Sequence, residues 1–413
     1  MRKPDPAWVV IAAGVCAAIH IGKLPPAIPV LQQALGLSLV QAGFALSLVQ
    51  LAGMCTAIAF GAVAEAMGLR RSVLVGLALL AAASAAGSLA QGPTMLLLLR
   101  AVEGLSFLLV VLPAPGLLRR LVPPQRLARS MGLWSAYMPV ATSLALLLGP
   151  LAIDAVGWRG WWVGLAVVTA LAGLVVLVAV PDTPTNGGAP AAPRPGPADG
   201  TSQQRLLRWW QPLWATLSAR GPWLVSLAFA AYSTQWIALI GFLPTIYQQA
   251  GHAGWVVGVL TALVSAGNIV GNVGAGRLLH AGAAPARLMI CGYLTMAAGS
   301  VVAFADLGQG QLVRFAAVLL FSVVGGLIPA TLFALATRVA PSEQAISATV
   351  GWMQQWSAAG QFVGPPLVAW VAGRAGGWHN TWCVTAAAAA IGCVLTGLLV
   401  KHLARQSPGM AVQ

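Results

Sequence analysis

The chain has 413 residues, of which 59% are hydrophobic and only 7% charged. A soluble surface needs about 25% charged residues, so lipid is the solvent for most of this chain, and secreted, nuclear and cytosolic enzyme classes are excluded. The formal net charge of +14 does not mark a nucleic-acid surface, because the basic residues are scattered through short loops between apolar runs.

A membrane-crossing helix needs roughly 20 predominantly apolar residues. In chain order such runs cover 8–31, 39–63, 72–91, 95–118, 128–152 and 160–180, and then 222–247, 254–279, 286–305, 312–338, 345–372 and 380–402. The start, Met1-Arg2-Lys3, mimics a signal peptide. The run behind it is too long for that role and holds His20, Lys23 and three prolines, so it reads as a retained first helix. The segment 181–221 separates six spans from six. Its first part, with Pro190, Pro193, Pro195 and Pro197, builds no core and reads as a flexible linker. Its second part mixes Arg205, Arg208 and Arg220 with Trp209, Trp210 and Trp214, as in a short helix lying at lipid headgroups. The expected organisation is an all-α membrane protein of two bundles, 1–180 and 222–413, joined by 181–221.

Orientation follows from Lys and Arg in the loops. With the N-terminus in the cytoplasm, 17 of the 22 basic residues lie inside and two, Arg159 and Arg374, outside; Lys23, Arg100 and Arg314 fall within helices. Both termini are therefore expected in the cytoplasm, with the chain in the inner membrane. The two halves repeat one another at a shift of 215: Pro29 with Pro244, Gly43 with Gly258, Gly61 with Gly276, and Gly149-Pro150 with Gly364-Pro365. Duplicated six-helix halves are an architecture of alternating-access carriers.

Several segments resemble the major facilitator superfamily. The family's loop between helices two and three has the form Gly-x-x-x-Asp-Arg-x-Gly-Arg-Arg/Lys. Here Gly61, Glu65, Gly68, Arg70 and Arg71 occupy the corresponding places, while Ala66 replaces the first arginine. The resemblance implies a gating role for these five residues, with part of the latch missing at Ala66. Arg100-Ala101-Val102-Glu103-Gly104 is similar to the family's Arg-x-x-x-Gly motif on helix four, and Gly149-Pro150 to the end of its helix-five motif. Gly241-Phe242-Leu243-Pro244 and the stretch from Trp352 to Pro366 resemble the cyanate and nitroimidazole carriers within it. The fold implied is twelve helices in two pseudo-symmetric bundles, with helices one, four, seven and ten around a central site.

Charges at mid-membrane each require a reason. Lys23 lies about one turn beyond His20 on the same face, and Pro25, Pro26 and Pro29 deprive the carbonyls of Ile21, Gly22 and Pro25 of helical partners. Together these form a polar patch for an anionic cargo, or else Lys23 reaches to the headgroups and the prolines only kink the helix. Arg100 and Glu103 share a face, either as an internal ion pair or on the cavity wall; Arg314 reads as a residue at the membrane interface. Tyr232, Gln235 and Trp236 on helix seven and Gln354 and Gln355 on helix eleven are further candidates for cargo binding. Tyr137 and Asn268 are polar groups of the same kind, each also explained by an interhelical bond. Glu103 and His20 are the candidate carriers of a coupling proton. The five cysteines read as small buried hydrophobes.

These residues predict a secondary carrier for a small organic or inorganic anion or a polar solute, with a proton as candidate coupling ion. Efflux of drugs or metabolites is the alternative on the same fold, and a transporter-like sensor that moves nothing is a third. No nucleophile–base pair, Walker-type phosphate loop or metal cluster is present in the sequence, so no enzyme and no cofactor is expected. The expected partners are a small-molecule substrate and the lipid bilayer, with the chain acting as a monomer.

Overall fold

The computed structural model of the chain describes residues 5–55, 67–182, 211–305 and 307–406. Every span begins or ends where local chemistry dictates. The first helix, α1, runs Pro6–Gly22, passes through a 3₁₀ turn at Pro25–Ala27 and resumes as Ile28–Leu35. Asp5 caps its start by accepting from the Ala7 N–H at 3.0 Å, and Gly36 at φ 65° ends it in the left-handed region. A reciprocal capping box, Ser38 with Gln41, opens α2 at Leu39–Ser47, which continues through a 3₁₀ turn at Leu48–Gln50 to Cys55. Then come α3 (Leu69–Gly87) and α4 (Pro93–Val111, then Ala114–Leu121). The next helix, α5, is Pro124–Ser135 followed by 137–156, and α6 is 158–179; Gly157 at φ 72° makes the turn between them.

The second half follows the same plan: α7 (Arg220–Gln249), α8 (Gly254–His280), α9 (Pro285–Phe304), α10 (Gln311–Gly325, then Leu327–Val339), α11 (Ile346–Ala375) and α12 (Trp382–Gln406). Nine segments of the described residues are long and apolar enough to cross a membrane. Twelve spans arise because one of these segments, Tyr137–Ala179, holds both α5 and α6, because the description of α2 stops at Cys55, and because α11 is unusually polar. Residues 211–218, ahead of α7, are helical with Trp214 exposed; Arg205, Arg208, Trp209 and Trp210 of the expected headgroup helix lie outside the described residues.

One apolar core fills the second half, and another fills the first half around Val10, Leu77 and Leu117. A third spans both halves, joining Ile28 and Leu46 to Ala238, Phe242 and Ala369. It lies at the end of the molecule opposite the basic loops, and there the halves touch. A Cβ on Gly43 of α2 would stand 2.8 Å from the Pro366 Cα of α11, and one on Gly258 of α8 would stand 3.0 Å from the Leu147 carbonyl of α5. Gly43 and Gly258 are repeat partners, so the duplication places a hydrogen at each point where one half's backbone meets the other's. Phe44 and Phe362 close the same level edge to face at 6.4 Å.

Toward the basic end the halves part. Gln361 of α11 receives a hydrogen bond from Gln50 of α2 at 2.9 Å. Gln354 stands two turns nearer the basic end on the same face of α11, and it is exposed, as is Cys55 of α2. A gap between the bundles is therefore sealed at the far end and open at the basic end.

Candidate functional site

Lys23, His20, Arg100 and Glu103 come together at one place, and it is not the gap. They are between 0% and 1% exposed, inside the first bundle among α1, α2, α3, α4 and α6. The Lys23 ammonium uses all three of its hydrogens: on Glu103 Oε1 at 2.5 Å, on Ser84 Oγ at 2.9 Å and on His20 Nδ1 at 3.2 Å. It also lies 4.7 Å from the Trp162 ring centroid, a cation–π contact. Glu103 Oε2 accepts from Arg100 Nη1 at 2.5 Å, so each carboxylate oxygen faces its own cation. Arg100 further donates from Nε to the Ala45 carbonyl and from Nη1 to the His20 carbonyl, at 3.0 and 2.7 Å.

Hydrogen-bond direction fixes the state of His20. The Thr169 hydroxyl donates to the Leu165 carbonyl at 2.8 Å, so its oxygen accepts from His20 Nε2 at 2.7 Å. Nδ1 is then the acceptor facing Lys23, and the ring is the neutral Nε2–H tautomer. A second ring proton would point at an ammonium group.

The proline-rich stretch behaves differently from the sequence expectation. The Pro25 carbonyl, expected to be free, accepts from the Ile28 N–H within the 3₁₀ turn. The turn diverts the Ala27 N–H to Leu24, and the Lys23 carbonyl takes the Trp161 indole N–H at 3.2 Å. The Lys23 carbonyl released here is thus met by a protein side chain, as membrane depth requires. The charged groups are held within one bundle and are neither at the headgroups nor on the gap wall. Ser84, Thr169, Trp161 and Trp162 complete the cluster and went unnoticed in the sequence, since small hydroxyls and tryptophans are common in apolar spans.

In the second half, Tyr232 is in the core, its hydroxyl accepting from Asn268 of α8 at 2.9 Å. Trp236 packs on the same core, and Tyr137 stacks on Trp134 at 4.5 Å. Gln235 donates to its own helix at Ala231; its carbonyl, the Trp236 indole N–H and the half-buried Gln355 carbonyl carry no hydrogen bond among the described residues. Gln354 faces the gap. The groups that the sequence reading missed are Gln50, Gln361, Ser357 and Ser233, a hydrogen-bonded line from α2 across α11 to α7: Gln361 donates to Ser357 at 3.3 Å and the two serine hydroxyls lie 2.7 Å apart.

Of the gating residues, Gly61 and Glu65 lie outside the described residues. Gly68 takes φ 88° as α3 begins. Arg70 bonds Asp182 at 2.9 Å and the Leu177 carbonyl at 2.7 Å, both at the end of α6 in its own half, and Arg71 is exposed. Cys55, Cys291 and Cys383 are exposed, which corrects the expectation that all five cysteines are buried.

Two pseudo-symmetric six-helix bundles around a gap sealed at one end define an alternating-access membrane carrier. The chain belongs to the Major Facilitator Superfamily, whose family model matches residues 10–357. Among solved structures it is similar to a bacterial homolog of the human lysosomal transporter Spinster in its inward-facing, unoccupied conformation. The TM-score is 0.79 at 14% identity, over 98% of this chain and 99% of that one. A D-xylose–proton symporter matches with a TM-score of 0.74 at 16% identity over 96% of both chains. A curated relative, the tetracenomycin C resistance and export protein of Streptomyces glaucescens, is 32% identical over 181 residues, which are 42% of this chain and 33% of that protein. The match thus spans about a third of that relative's length.

Proposed function

We propose that the chain is a proton-coupled carrier that exports an uncharged, partly apolar organic molecule across the cytoplasmic membrane. One observation carries this reading: the charges at membrane depth in the first bundle are spent on one another, and the gap is left to neutral groups. The basic end is the cytoplasmic end by the loop charges, so the gap opens inward with both termini inside. The path lies between two halves of one chain, and a single copy contains all of it.

Glu103 is the coupling group. Proton uptake on either of its oxygens removes an acceptor from Lys23 or Arg100, and those two residues tie α1 to α2, α3 and α4. Protonation therefore loosens the contacts that fix how these helices pack, which gives a proton gradient a handle on the tilt of the first bundle. His20 does not serve, because its free nitrogen faces Lys23. The export direction is supported by the partial match to the tetracenomycin C exporter.

The reading is tested in proteoliposomes carrying a pH gradient, with tetracenomycin C and a series of uncharged, anionic and cationic aromatic compounds as cargo. Accumulation of uncharged members, collapsing with the gradient, is the expected result. Movement of anions alone would restore the view that Lys23 and Arg100 meet the cargo.

A further inference from the structure

We infer that Gln50 and Gln361 form the hydrogen-bonding subsite for the cargo, at the closed end of the gap, and that it takes an uncharged molecule with a hydroxyl or amide hydrogen. This deepens the proposal of an uncharged cargo and rests on it.

Three observations lead there. The two amides bridge the halves within the α2–α11 contact: on the far side Gly43 meets Pro366, on the basic side a Cβ on Gly53 would stand 3.1 Å from the Ala358 Cβ, and beyond that Gln354 and Cys55 are exposed. Next, the pair is incompletely bonded. Gln50 spends one amine hydrogen on Gln361, and among the described residues no hydrogen bond reaches the Gln50 carbonyl oxygen. An amide in an otherwise apolar contact between α2 and α11 has no packing reason to be there, and its open acceptor is available to a donor. Finally, Gln50 closes a 3₁₀ turn inside α2, and such a turn within a helix is a common place for a hinge. A cargo that replaces the amide–amide bond with bonds of its own links recognition to a contact between the halves. Ser357 and Ser233 extend the line, and their hydroxyls reverse donor and acceptor roles at no charge cost.

Neutral amides on both walls discriminate by hydrogen bonding. A compound with the matching hydroxyl is accepted, and its methyl ether leaves the Gln50 carbonyl unpaired. The experiment uses the full chain in proteoliposomes and counterflow of four probes: 4-hydroxybenzamide, 4-methoxybenzamide, 4-hydroxybenzamidine as the cation and 4-hydroxybenzoate as the anion. Wild type is expected to favour 4-hydroxybenzamide. Gln50→Ala should raise its KM about tenfold with kcat within about twofold, and narrow the preference over the methyl ether. Gln361→Glu, isosteric but charged, should turn the preference toward the amidinium, with folding checked by the thermal unfolding of the purified variant. Unchanged KM and unchanged preference in both variants would overturn the subsite while the proposed function stands. Wild-type transport that is absent for the uncharged probes, or confined to charged ones, would overturn that function and the subsite with it.

Discussion

The interior of the first bundle and the inter-bundle gap use polar groups in opposite ways. Inside the first bundle, Lys23 makes three bonds, both Glu103 oxygens are taken, and the His20 ring is committed at both nitrogens. The polar candidates along the gap and on α7 and α11 of the second bundle are neutral, and among the described residues the carbonyls of Gln235 and Gln355 carry no hydrogen bond. A charged cluster bonded mainly to itself, with the Arg100 Nη2 left without a hydrogen bond among the described residues, holds geometry and resists intrusion, whereas a neutral surface with open groups is ready to bind. The contrast teaches that polarity at membrane depth is not itself a sign of a cargo site; what matters is whether the valences are already filled.

The comparison breaks most sharply at Lys23. Lys23→Ala leaves Glu103 facing one cation in place of two, and loss of one partner of a buried ion pair costs about 3–5 kcal/mol. Thermal unfolding in detergent should show the largest fall of any variant here. Adding Glu103→Gln to it should recover none of the loss, because Arg100 then stays buried without a counter-ion. Thr169→Val removes the acceptor for the His20 Nε2–H and should cost about 1–3 kcal/mol in the same measurement.

The gap side responds differently. Gly43→Leu places a side chain where the Pro366 backbone stands, so it should hold the far end open with little loss of stability in the separate bundles. Thiol labelling of a cysteine introduced at Leu46, 3% exposed where α2 meets α7, should then become fast. Smallest is Tyr232→Phe, which removes a single bond from Asn268. Interhelical hydrogen bonds in membranes average about 0.6 kcal/mol, so its unfolding midpoint should move little.

The twelve spans were readable because lipid demands long apolar runs, and the repeat was readable because Gly43 and Gly258 do the same steric work in each half. The grouping of Lys23 with Glu103 was not. It joins helices 80 residues apart in the chain, and helical periodicity orients a residue only within its own helix. His20 and Lys23 were correctly placed on one face, but nothing in α1 alone says whether that face meets the gap or the bundle interior. The importance of Gln50 and Gln361 was hidden for a related reason, since a lone glutamine in an apolar span acquires meaning only from what stands across from it. Ser84 and Thr169 had no distinguishing signal at all.

The central claim is that Glu103 couples transport to protons without touching cargo. Its most direct test compares Glu103→Gln with wild type in proteoliposomes, measuring counterflow exchange and gradient-driven accumulation of the same uncharged compound. The account predicts that the variant keeps exchange, with KM unchanged within about twofold, and loses accumulation in response to the pH gradient. Gradient-driven accumulation at the wild-type level, or a raised KM in exchange, would contradict it.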